Sequence, residues 1–224
     1  MMAVGASVDQ LEPMLSISQL KSCQIACINA PTTIVVSGPI DDLSMFRNRM
    51  QSERIHTRFL CIIHGFHSPQ VDPILRDFEI SAKVFNFARP AIPIAPTLIV
   101  GTIVTDKGIF SPAFLARQAR EPVNFAGALQ ACETAGLIDT NSIWFEVGPE
   151  PVSLSLVRNT LNLSPKSLLP ILKSSEDNWK MVSHAVSAAY TSAITVDWTE
   201  YHNEYTNTLS LLELPTYAFD LKNY

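Results

Sequence analysis

The sequence predicts a mixed α/β protein. Three features carry that expectation: short β-branched runs alternate with stretches of helical period, prolines punctuate the boundaries, and the composition suits a packed core. Hydrophobic residues make up 47% of the 224 and charged residues 17%, a globular rather than a disordered balance. Fifteen prolines stand against eight glycines, and Pro31, Pro39, Pro69, Pro122, Pro149, Pro165 and Pro215 fall at apparent element boundaries. A chain of this length can bury a sizeable core, as one large domain or two small ones.

Residues 1–63 read as β-α-β-β-α-β. Met2 to Gly5 is a short apolar strand. Ser7-Val8-Asp9-Gln10 then matches a capping box, in which the serine caps an amide and the glutamine reaches back. Pro13 should kink or end that helix early. Gln24 to Asn29 and Thr33 to Ser37 are β-rich and joined across Ala30-Pro31-Thr32, which predicts a hairpin. Cys23 and Cys27 share a parity and are expected on one side of the first of these strands. Asp41 and Asp42 suit the amino end of a helix whose Leu43, Phe46 and Met50 share a face. Thr57 to Ile63 closes the unit as a strand. That order of elements is the ferredoxin-like split βαβ arrangement.

The following residues have another texture. Helices are predicted over Val71–Val84 (Leu75, Phe78 and Ala82 on one face), Ser111–Arg120, Val123–Ala135, Pro151–Leu161 and Trp179–Ala193 (Val182, Val186, Ala189 and Tyr190 inward). Ile92–Val104 reads as extended and buried, with strands at Ile143–Val147 and Leu168–Leu172. From Thr195 on, Trp198, Tyr201, Tyr205, Leu214, Tyr217 and Phe219 show no helical period and suggest an extended segment docking aromatic anchors onto a neighbour. The division expected is 1–63, 64–193 and 194–224. A larger α/β body with the small unit inserted would need strands and a helix ahead of Met1, so the body is expected to be incomplete.

Charge and cysteine usage exclude several functions. The net charge is −5, from 16 basic and 21 acidic residues, and basic side chains never cluster beyond two or three. No nucleic-acid partner is expected. The longest apolar stretch, Ile92–Val104, is interrupted by Pro93, Pro96 and Gly101 and falls short of the ~20 residues that cross a bilayer, so no membrane partner is expected either. No secretory signal is read at Met1–Gly5. Cys23, Cys27, Cys61 and Cys132 show no metal-finger spacing and read as reduced thiols of a cytoplasmic protein. No bound metal is expected.

The richest local chemistry is His64-Gly65-Phe66-His67-Ser68, directly after a predicted strand. A histidine there suits a general base, since it titrates near neutral pH and the strand holds it in place. The pair can also be read as metal ligands lacking a third, or as hydrogen-bonded histidines at a domain junction. No serine stands in G-x-S-x-G and no phosphate loop or dinucleotide fingerprint occurs. Asn29 reads as a turn former, Gln118 as a surface residue, and Glu146 and Glu150 as parts of a solvated turn.

Several segments together resemble the acyltransferase domains of iterative, non-reducing fungal polyketide synthases. They are Ala26–Pro31 with Val36-Ser37-Gly38, Gly65–Leu75, Leu115–Phe125, Phe145–Pro149, and Leu214–Tyr224, the last like the linker after such domains. The resemblance covers nearly the whole chain, in the family's order and spacing. It implies that the residues after the ferredoxin-like unit form the C-terminal portion of an α/β-hydrolase-like acyltransferase subdomain.

The resemblance also implies a mechanism. A serine takes malonyl from coenzyme A, and the acyl-enzyme passes it to the phosphopantetheine thiol of an acyl carrier protein. By motif match His67 is the general base, and the backbone carbonyl of Gln118 orients it. His64, Phe66 and Asn29 match substrate-binding positions, and Phe66 would fill the space that the α-methyl of methylmalonate needs. Malonyl-CoA is thus the implied substrate, an acyl carrier protein and neighbouring synthase domains the partners, and no cofactor is held by this chain. The sequence departs from the family in having Gly65 where alanine is common and Glu150 where histidine is common. The family's nucleophilic serine, oxyanion glutamine and carboxylate-pairing arginine lie upstream of the matched region, so the chain is expected to be inactive alone. A free-standing, non-catalytic remnant that binds a carrier protein or synthase is the other expectation, and a pseudogene product a third.

Overall fold

The computed structural model describes residues 1–16, 20, 22–208, 210 and 213–215. Its first sheet forms from β1 (Met2–Val4), β2 (Gln24–Ala30), β3 (Thr33–Ser37), β4 (Thr57–Phe59) and β5 (Val123–Asn124), in the order β4-β1-β3-β2-β5. β1 lies antiparallel between β3 and β4, with Met2 opposite both Val36 and Phe59. β2 runs antiparallel to β3 and parallel to β5.

Two helices cover this sheet. α1 (Val8–Leu15) begins with the capping box: the Ser7 hydroxyl accepts the Gln10 N–H and the Gln10 side chain accepts the Ser7 N–H at 3.0 Å. Pro13 does not stop it. The helix runs on to Leu15 with only the Pro13 donor missing. α2 (Ile40–Ser52) carries Asp41 and Asp42 in its first turn and Arg49 in its last, matching its dipole. Its spacing puts Leu43, Phe46 and Met50 on one buried face. They pack with Met2, Val4, Leu11, Ile34 and Val36 into the main core. A bulge between Ile25 and Cys27 breaks the strand parity, so Cys23 lies in the core while Cys27 is only half-buried.

Several expected elements differ. The strand at Thr57 ends at Phe59: Leu60 donates to the Met1 carbonyl, and Ile63 is 93% exposed because, among the described residues, no strand extends the pairing beyond β1. Ile92–Val104 is neither a strand nor buried throughout. Only an antiparallel bridge, Ile94 with Val104, survives, because Pro93 and Pro96 remove ladder donors and leave Ile92 and Val100 exposed. Val123 and Asn124 do not start a helix, because Pro122 forces Glu121 into an extended conformation and steers the chain into β5.

Further helices follow: α3 (Asp72–Ala82) after the 3₁₀ turn Pro69–Val71, α4 (Pro112–Arg120), α5 (Phe125–Thr134), α6 (Val152–Leu161), α7 (Asn178–Thr191) and the short α8 (Trp198–Tyr201). A second sheet pairs β6 (Trp144–Glu146) in parallel with β7 (Leu168–Pro170). A small cluster of Leu129, Val157 and Leu163 fills the space among α5, α6 and that sheet. On α7, Ala185 and Ala189 are buried but Tyr190 points outward, where the Trp198 ring meets it edge-on at 5.4 Å. The segment after α7 is therefore not an extended arm. It turns back along α7, setting Tyr201 against Ser183 and Tyr205 against Trp179. Tyr217 and Phe219 lie outside the described residues. Among the described residues no helix is long and apolar enough to cross a membrane.

Candidate active site

His67 sits in the loop between β4 and the Pro69–Val71 turn with φ +54°, a left-handed conformation that costs a non-glycine residue roughly 1–2 kcal/mol. Neighbouring contacts hold it there. The buried Ser68 hydroxyl donates to the Gly65 carbonyl at 2.6 Å and accepts the Gln70 N–H, which closes the loop on itself. Gly65 leaves room for the Gln70 side chain: a Cβ would press on its movable end and stand 2.9 Å from the Ser37 hydroxyl. That hydroxyl is buried and has no hydrogen-bond partner among the described residues.

The other half of the arrangement comes from the last turn of α4. The Ser111 hydroxyl caps its start through the Phe114 N–H, and Pro112 fits its first position. At its end, the Gln118 carbonyl would ordinarily accept the N–H of residue 122, four residues on. Residue 122 is proline and has none. The carbonyl is left free, and the His67 Nδ1 lies 3.0 Å from it. The backbone N–H of His67 also donates to the Ala119 carbonyl at 3.3 Å. The Gln118 side chain is held in turn by a bond from Nε2 to Thr97 Oγ1.

This geometry fixes the chemistry of the ring. A carbonyl only accepts, so Nδ1 carries the hydrogen and Nε2 presents its lone pair outward. His67 is half-buried, which suits a group that must take a proton from a reacting partner. The same loop brings His64 and Phe66 together with ring centres 6.0 Å apart, His64 exposed and Phe66 48% exposed. Asn29 is half-buried near the end of β2, and its side chain makes no hydrogen bond among the described residues.

Other candidates take structural parts. The Glu146 carboxylate accepts the Ser153 and Leu154 N–H groups, both at 2.8 Å, and so caps α6 rather than standing in a solvated turn. Glu150 accepts the Ser174 hydroxyl and then its N–H, which hold its carboxyl below the usual range. Burial and then Asp42 push the Cys23 thiol up to about 11, and burial raises Cys27 and Cys132, so these three are poor nucleophiles. No group of three metal-ligating side chains occurs among the described residues. A groove of about 390 Å³ between β7 and α7 is lined by Lys166, His184 and Thr191 and by none of the five predicted site residues. Sequence reading missed the part played by Pro122, although its position four residues after Gln118 was a visible signal.

Known proteins with this pattern point one way. The family model described as acyl transferase domain matches residues 1–196. A non-reducing polyketide synthase of Cladonia metacorallifera is 43% identical over 224 residues, covering 100% of this chain and 11% of that protein. One from Menisporopsis theobromae is also 43% identical, with 100% and 10% covered. The chain thus spans about a tenth of the length of these curated relatives. The acyltransferase domain from the second module of the salinomycin polyketide synthase superposes with a TM-score of 0.77 at 27% identity, covering 94% of this chain and 48% of that one. A malonyl CoA-acyl carrier protein transacylase from Burkholderia pseudomallei gives 0.63 at 25% identity, covering 73% and 57%. With the family model matched over most of its length, this chain belongs to the acyl transferase domain family.

Proposed function

We propose that this chain supplies the histidine half of a malonyl-transferring acyltransferase site in polyketide biosynthesis, with the serine nucleophile coming from residues outside these 224. One observation carries the reading: His67 Nδ1 against the Gln118 carbonyl at 3.0 Å, which leaves Nε2 as the base. In the first half-reaction Nε2 takes the proton as the serine oxygen attacks the malonyl thioester. The C–S bond breaks and the coenzyme A thiolate leaves, taking that proton. In the second, Nε2 takes the proton of a carrier-protein phosphopantetheine thiol. The thiolate attacks the seryl ester, and the proton returns to the serine oxygen.

Around this centre, Phe66 and His64 from the same loop and Asn29 from β2 are assigned to the acyl pocket. Phe66 is assigned the steric exclusion of the methylmalonyl methyl group, and Phe66→Ser should raise methylmalonyl use relative to malonyl. An unchanged ratio would remove that role. Residues 1–63 are read as a ferredoxin-like subdomain, supported by the β-α-β-β-α-β order and the β4-β1-β3-β2 strand order. Residues 64–193 are read as the C-terminal part of the α/β-hydrolase-like body and 194–224 as the following linker. Four free cysteines fit a reducing, cytoplasmic setting.

A non-catalytic binding protein is the second reading. The discriminating experiment incubates malonyl-CoA with this chain and, separately, with a complete acyltransferase domain that carries it. A malonyl-serine in the complete domain alone supports the first reading. Carrier-protein binding by the chain, with no acyl-enzyme in either sample, supports the second.

A further inference from the structure

We propose that Asp72 and Arg120 form a positioning pair that sets the His67–Gln118 geometry from outside the reacting centre; this rests on the reading of His67 as the base. Asp72 is the first residue of α3, five after His67, and Arg120 is the last residue of α4, two after Gln118. The Arg120 Nε lies 2.6 Å from Asp72 Oδ1, so the ion pair spans the same gap between loop and helix end as the His67–Gln118 bond. A second guanidinium nitrogen donates to Gln24 Oε1 at 3.4 Å, which ties the assembly to the start of β2. Each charge sits at the helix end that favours it, the aspartate at an amino terminus and the arginine at a carboxyl terminus.

The need for such a bolt is visible in the backbone. His67 holds a left-handed conformation, and among the described residues its backbone-carbonyl contacts come from Gln118 and Ala119. A strained residue keeps its geometry only while its surroundings determine it. The pair is partly exposed, Arg120 at 27% and Asp72 at 52%, so its removal should alter global stability little. Its effect should fall on the placement of the imidazole, where small displacements slow the chemical step.

The test uses a complete acyltransferase domain carrying these residues, with malonyl transfer followed in Arg120→Met, Asp72→Asn, the double variant and the swap Asp72→Arg/Arg120→Asp. The single variants should lower kcat roughly ten- to hundredfold, with KM for malonyl-CoA within about twofold. The double should be no worse than either single, and the swap should recover part of the loss. Nitrogen NMR of His67 should show Nδ1 losing its protonated, carbonyl-bonded signature in the single variants. Should Arg120→Met melt early, the near-isosteric Asp72→Asn decides alone. Unchanged kcat in both singles, or a rise in KM alone, overturns the positioning role. His67→Ala in the same assay separates the two ideas. Loss of transfer there with full activity in Arg120→Met rejects only the bolt, whereas full activity in His67→Ala rejects the base and the bolt together.

Discussion

Between Met1 and Phe59, Met2, Leu11, Ile34 and Phe46 have no exposed surface, whereas between Leu60 and Thr208 Ile63, Val147 and Ile92 stand at 93%, 82% and 72% exposure. The first region holds the main core, because α1 and α2 have apolar faces that match one face of a sheet to which β5 of the second region adds an edge strand. In the second, the two-stranded β6–β7 sheet and the small cluster around Leu129 bury far less. Apolar side chains left open at these positions are available to pack against another surface. This fits the proposal that the base-bearing loop, at the seam of the two regions, works with a surface supplied from elsewhere.

Truncating large side chains would test that contrast most strongly. Phe46→Ala should remove about 3–5 kcal/mol of stability in denaturant unfolding. The same change at Phe78 on α3, 42% exposed, should remove well under half as much. Equal losses would break the comparison.

A smaller effect follows from Cys23 at the edge of the first core. Its folded pKa is raised from 9.0 to about 11, so its contribution is intact below pH 9. It is lost as pH rises toward 11, because the unfolded chain gives up the proton first. Unfolding measured across that window should show a decline of about 2–3 kcal/mol attributable to this thiol. Cys23→Ala should flatten it, and an unaltered slope would place the titration elsewhere. Smaller again, Ser7→Ala should cost about 1 kcal/mol by removing the α1 cap. A loss within measurement error would mean the box is replaced by solvent.

The first region was legible because its signals were local and mutually consistent. Leu43, Phe46 and Met50 recur at helical spacing, Ser7 and Gln10 box the start of α1, and the β2–β3 hairpin is bounded by turn residues. The second was misread where tertiary pairing or proline chemistry decided the outcome. Val123 and Asn124 look helical until β2 claims them as a strand, and the apolar run from Ile92 loses its ladder to Pro93 and Pro96. Tyr190 fits the inward period of α7 but is drawn outward by Trp198. At the site, local sequence offered His67 as one of two neighbouring histidines. Gln118 entered only through resemblance, since a backbone carbonyl has no residue signature. Pro122, which frees that carbonyl, and Asp72 with Arg120, which brace it, are visible in sequence but gain meaning only when α3 and α4 are brought together.

The central claim is that His67, oriented by the Gln118 carbonyl, is the base of an acyl-transfer site. It is tested most directly by measuring malonyl transfer from malonyl-CoA to a carrier protein by a complete acyltransferase domain bearing His67→Ala. The account predicts a fall of roughly a hundredfold or more with an unchanged melting temperature. Transfer at the parent rate by the folded variant would contradict it.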